Sequence, residues 1–84
     1  MRQVTIRVRL GHGVARLAPA PRMTLDLDPE ATVAEACDRL ADVHPGLAPA
    51  LASVLTVVGG SQVARGHRLS AGDELALLLP TPGG

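Results

Sequence analysis

The sequence predicts a two-layer α+β domain in which one main helix packs on one face of a mixed sheet. Three stretches carry that prediction. Val4 to Leu10 alternates strictly, with Val4, Ile6, Val8 and Leu10 on one side and Thr5, Arg7 and Arg9 on the other, as in a half-buried strand. Thr32 to Leu40 repeats apolar residues at helical spacing. Leu75 to Leu79 is a continuous apolar run of the kind that fills a strand covered on both faces. The helix supplies the crossover that parallel pairing needs, so the first and last strands are expected side by side at the centre of the sheet.

Between these anchors the remaining elements follow in order. Gly11-His12-Gly13 breaks the first strand, and the stretch through Pro19 and Pro21 to Arg22 reads as a long, loose hairpin connection. His12 could serve as a ligand or base, but between two glycines it reads as a solvated loop residue. Met23 to Asp28 alternates again and forms the second strand, with Asp26 and Asp28 facing out. Thr32 is the expected N-cap of the helix, and Glu35, three residues on, completes a capping box. Val33, Ala36, Cys37 and Leu40 then line the buried side, which makes Cys37 a small core residue rather than a nucleophile. His44-Pro45-Gly46 ends the helix, with His44 facing its negative end. Leu47 to Leu51 is a connector of about one helical turn. Val54 to Val58 is a third strand, and Gly59-Gly60 turns it into a short edge strand at Ser61-Gln62-Val63. Arg65-Gly66-His67-Arg68 reads as a solvated turn whose positive charge could meet an acidic patch on a partner. Gly72-Asp73 makes the last turn before the final strand.

Composition narrows the function. The 84 residues suit a single small domain, 46% hydrophobic but without Phe, Tyr or Trp, so the core must be built from aliphatic side chains. Eight basic and eight acidic residues cancel, with no basic block and no aromatic platform, which argues against a nucleic-acid partner. One cysteine excludes a disulfide framework and a cysteine-built metal site, and no metal ligands are assigned. No signal-peptide core or long apolar run occurs, so a cytoplasmic protein with no membrane partner is expected. All eight basic residues are arginine; lysine is absent, so copies of this chain cannot be joined through a lysine amine.

The chain's end carries the strongest functional signal. Pro80 lacks the N–H that a ladder needs, so pairing should stop there. Pro80 and Pro82 both hold the preceding residue extended, and the segment 80–84 should project from a domain spanning residues 1–79. Gly83 and Gly84 carry no β-carbons, so the terminal carboxylate can be threaded into a narrow active site that side chains would block. Along the last strand, alternation puts Leu75, Leu77 and Leu79 on the core face and Ala76 and Leu78 on the other. Ala76 and Leu78, with Pro80, Thr81 and Pro82, are therefore candidate partner contacts beside the tail.

These residues resemble a known family, the MoaD/ThiS ubiquitin-like sulfur carriers. The match lies in Leu69-Ser70-Ala71-Gly72-Asp73-Glu74-Leu75-Ala76, the strand Leu77-Leu78-Leu79, and the ending Pro80-Thr81-Pro82-Gly83-Gly84. The Gly59-Gly60 hairpin also sits where that family turns, and chain length is nearer the molybdopterin synthase small subunit than the shorter thiamine carrier. Two features depart from the family pattern: the last strand lacks aromatics, and the Gly11–Arg22 loop is unusual. The resemblance implies a β-grasp fold and a chain that is a co-substrate rather than an enzyme. It implies that Gly84 is adenylated and converted to a thiocarboxylate, that Gly83 keeps the path narrow, and that Pro80 to Pro82 act as a spacer. It also implies that no cofactor is bound by this chain and that ATP is used by an activating partner. The implied partners are an adenylyltransferase resembling a ubiquitin-activating enzyme and a sulfur-accepting enzyme such as the molybdopterin synthase large subunit. The alternatives are sulfur carriage for thiamine thiazole, cysteine or a sulfur-containing natural product, a non-covalent ubiquitin-like adaptor, and a protein-conjugating modifier.

Overall fold

Five strands and one principal helix make up the protein, as seen in a computed structural model that describes residues 2–11, 13–18 and 20–80. Strands β1 (Val4–Leu10), β2 (Arg22–Leu27), β3 (Leu55–Val58), β4 (Ser61–Gln62) and β5 (Glu74–Leu78) form one sheet in the order β2-β1-β5-β3-β4. β1 and β5 pair in parallel at its centre, with Val8 beside Leu75 and Leu10 beside Leu77. The other three pairings are antiparallel. This is the ubiquitin-like β-grasp, and the central parallel pair expected from the helical crossover is present.

Helix α1 (Val33–Val43) begins at Thr32, whose hydroxyl accepts from the Glu35 amide while the Glu35 carboxylate accepts from the Thr32 amide. The next two free donors of the first turn are taken up from outside the helix. The amides of Val33 and Ala34 donate to the carbonyls of His67 and Arg65, both at 2.9 Å. Val33, Ala36, Cys37 and Leu40 are the buried residues of α1, the same four that the apolar spacing marks. At the far end the His44 amide donates to Leu40, 2.7 Å away, and the chain continues through a 3₁₀ turn (Pro45–Leu47) into the short helix α2 (Ala48–Leu51).

The core lies between α1 and one face of the sheet. Ile6, Leu75 and Leu77 are fully buried there with Leu40 and Leu47. Each buried aliphatic side chain of this kind contributes roughly 1.5–3 kcal/mol. The one buried polar residue among these is Thr56, opposite Leu77. Its hydroxyl donates to the Val63 carbonyl at 2.7 Å, so burial leaves no unmet hydrogen bond.

The structure departs from the sequence reading at three places. The Gly11–Arg22 connection is not loose: it holds a 3₁₀ turn (Ala15–Leu17) and buries Val14 completely. The Arg65–Arg68 turn is not simply solvated. Arg65 donates to the Leu51 carbonyl at 2.6 Å and is half-buried, whereas Gly66, His67 and Arg68 are exposed as expected, Arg68 making a surface ion pair with Glu30 at 3.2 Å. Leu79 is not a core residue. It is 40% exposed, because β5 runs out of neighbours: β1 accompanies it as far as Leu77 and β3 as far as Leu78.

Candidate functional site: the root of the tail and the open sheet face

Strand β5 reaches the end of the domain with a neighbour on each side. The turn before it is built from its own residues. The Ser70 amide donates to the Asp73 carboxylate at 2.8 Å, the Asp73 amide donates to the Ser70 carbonyl, and Gly72 takes φ +84°, a conformation that favours glycine. Two further bonds tie this turn to β1: the Gly72 amide to Thr5, and the Arg7 amide to Asp73. At the other end, the Gly11 amide donates to the Leu77 carbonyl at 2.9 Å and extends the β1–β5 ladder beyond Leu10. Pairing ends at Leu78, two residues before Pro80.

The face of the sheet turned away from α1 carries Arg7 and Arg9 from β1, Leu55 and Val57 from β3, and Glu74, Ala76 and Leu78 from β5. Ala76 lies between Arg9 and Val57, and at 2% exposure it is sunk below these longer neighbours. A hollow of about 310 Å³ opens above it, bounded by Arg7, Arg9, Val57, Gly59, Asp73 and Glu74. The hollow has an apolar floor and a charged rim, on which Arg9 Nε and Glu74 Oε1 lie 3.5 Å apart. Leu78 is half-buried at the edge of this face nearest the tail.

Of the predicted site residues, Ala76, Leu78 and Pro80 are brought together on or beside this face. Thr81, Pro82, Gly83 and Gly84 lie outside the described residues, as does His12. Cys37 is buried in the core, where burial pushes its thiol pKa up and the nearby Arg65 partly opposes that. Among the described residues there is no group of three His, Cys, Asp or Glu side chains able to hold a metal ion. No helix among them is long and apolar enough to cross a membrane. The sequence reading left Arg7 and Arg9 out of the site, although their outward positions in β1 were already visible in the alternation.

Known proteins resemble this chain over most of its length. Residues 13–84 match the ThiS family. Small archaeal modifier protein 1 of Haloferax volcanii is 33% identical over 79 residues, covering 84% of this chain and 91% of the relative. A crystal structure of that modifier superposes with a TM-score of 0.85 at 31% identity, over 95% of this chain and 99% of the other. The fold also matches a complex of subunits 1 and 2 of the molybdopterin-converting factor from Helicobacter pylori. That match has a TM-score of 0.70 at 17% identity, over 96% of this chain and all of the matched one. With the β-grasp sheet and a family match running from Gly13 to the last residue, this chain belongs to the ThiS family of ubiquitin-like carrier and modifier proteins.

Proposed function

We propose that the protein is a sulfur carrier whose Gly84 carboxylate is the working group. The observation that carries this reading is the central strand β5, held between β1 and β3, which leads through Pro80 into a segment ending in Gly83-Gly84. A strand held on both sides fixes the point from which the tail starts, so a second protein meets that point without further ordering of the domain.

In the proposed chemistry a carboxylate oxygen of Gly84 attacks the α-phosphorus of ATP on an adenylating enzyme, and pyrophosphate leaves. The product is an acyl-adenylate, a mixed anhydride open to attack at carbon. Hydrosulfide then displaces AMP and leaves a thiocarboxylate. If the donor is instead a persulfide, the first product is an acyl disulfide, which a second thiol cleaves to the same thiocarboxylate. The charged tail next enters an acceptor enzyme and gives its sulfur to a small-molecule precursor. Molybdopterin formation is the destination this reading favours, supported by chain length and by the fold shared with the molybdopterin-converting factor. In both encounters Leu78 and the hollow dock the partner, with the buried Ala76 only as the hollow's floor, while Pro80, Thr81 and Pro82 span the distance to its active site. Arg7 and Arg9 add charge to that surface.

A second reading is favoured by one specific finding, the 33% identity to a protein named as a modifier. There the same activated Gly84 is attacked by an amine of another protein, and an amide forms as AMP leaves. Intact mass separates the two readings. With ATP, an adenylating enzyme and a sulfur source, a carrier exchanges one oxygen for sulfur at Gly84, and removal of Gly84 abolishes the exchange. A modifier appears instead joined through Gly84 to a lysine of a second protein. Sulfur found on Cys37 would overturn both.

A further inference from the structure

We propose that Gly11 and Gly13 form a side-chain-free seat for the root of the tail, and that this seat sets the direction in which the chain leaves the sheet at Pro80. The two glycines follow β1 directly. The Gly11 amide holds the Leu77 carbonyl, and its own carbonyl accepts from the amides of Val14 and Ala15 at 3.1 and 3.0 Å. Val14, with no exposed surface, fixes the turn to the core.

Both glycines lie against the last two leucines before the tail. A β-carbon on Gly11 would overlap Leu78 Cδ2 and stand 3.2 Å from the Leu77 carbonyl oxygen. A β-carbon on Gly13 would stand 2.9 Å from Leu79 Cδ1. Gly59, Gly60, Gly66 and Gly72, by contrast, have open space where a β-carbon would go. The two seats also differ in kind. Gly13 has φ +92°, so its conformation favours glycine as well. Gly11 is not among the residues with positive φ, so what it supplies is room.

Leu78 ends β5 and Leu79 follows it, and the two lie against Gly11 and Gly13 respectively, so they straddle the glycine turn. Twisting the root about the strand axis lifts one leucine off its glycine and presses the other onto it. This also accounts for a leucine at position 79 that is outside the core yet in contact. A change of direction at Leu79 redirects everything that follows it, and under the proposed function the chain's end must reach a defined reaction geometry.

The seat can be tested without any partner, on the full chain labelled for NMR. In Gly11→Ala, the amides of β1 from Ile6 to Val8 should keep their protection. The amide of residue 11 should exchange at least about tenfold faster, and the resonances of Leu78 and Leu79 should move. Adding Leu78→Ala to Gly11→Ala removes the overlapping methyl and should restore most of the residue 79 shift. If Gly11→Ala does not fold, Leu78→Ala and Leu79→Ala in the native seat provide the reading, since each should loosen the glycine it covers. Unchanged exchange and shifts, or a Gly11→Ala effect of equal size with Leu or Ala at position 78, would overturn the seat. The link to activity rests on the carrier reading. Leu79→Ala should slow acyl-adenylate formation on saturating adenylating enzyme by at least about fivefold, with affinity held within about twofold. An unchanged rate overturns the directional role while leaving the carrier reading intact. Failure of the native chain to be adenylated overturns the carrier reading and leaves the NMR result to decide the seat.

Discussion

Cys37 is the one cysteine of the chain, and its surroundings are those of a packing residue. It sits on the buried stripe of α1 among Val33, Ala36 and Leu40, and burial raises its thiol pKa so that the neutral form persists at neutral pH. Alkylation of the folded protein should therefore be much slower than that of the same chain in denaturant. Equal rates would place Cys37 at an accessible site. Cys37→Ala loses only one buried sulfur and should cost about 1 kcal/mol in chemical denaturation, with sulfur transfer retained. The raised pKa also has a pH signature. The unfolded thiol ionises first as pH rises, so the thiol's contribution is full below the ordinary thiol pKa and declines above it. Cys37→Ala should remove that alkaline decline.

At the level of elements, β5 has one face in the core and one face open to a partner. Leu77 is fully buried against the helix side, and Leu77→Arg should unfold the domain because the charge would have no partner there. Leu78, one residue later, is half-buried on the open face beside Leu55. Leu78→Arg should leave the melting transition in place and weaken partner binding by roughly 1–3 kcal/mol, the range of an ordinary interface anchor. Melting curves and binding titrations on both variants decide the matter, and the reverse pattern would mean the two faces are exchanged. The capping box makes a smaller claim. Thr32→Ala removes the acceptor for the Glu35 amide and should cost about 1 kcal/mol, measured as a shift in denaturation midpoint.

Taken whole, the molecule closes its core before the segment to which the proposed function assigns the chemistry. The core is closed by residues up to Leu77, with Leu69, Leu75 and Leu77 its last contributors. Shortening the chain by Gly83 and Gly84 should thus leave the melting temperature unchanged and abolish modification of the chain by an adenylating enzyme with ATP. A fall in melting temperature would show that the chain's end takes part in folding. The layout also bears on how a partner recognises the protein. The hollow lies toward the Gly72–Glu74 end of β5 and the root of the tail at its other end, so under the proposed function a partner grips the sheet along the length of the strand.

Much of this architecture was legible in the chain because it depends on local periodicity. Alternation assigned the faces of β1 and β2, helical spacing marked the four buried residues of α1, and Thr32 with Glu35 located its start. The Gly-Asp turn and the apolar run after it located β5, and the crossover rule put β1 beside it. What periodicity cannot say is how far a neighbouring strand runs or which loop lies over a given side chain. Leu79 follows the alternation of a core residue, yet it is exposed because β1 and β3 have already ended beside it. Val14, in a stretch rich in glycine and proline, is buried only because the loop folds back onto the core. Arg65 looks like a solvated turn residue until the Leu51 carbonyl of α2 is brought within hydrogen-bonding distance. Gly11 and Gly13 read as chain breakers, and only the arrival of Leu78 and Leu79, more than sixty residues later, turns them into a seat. Burial and contact at these positions belong to pairs of segments distant in sequence, so the tertiary structure alone decides them.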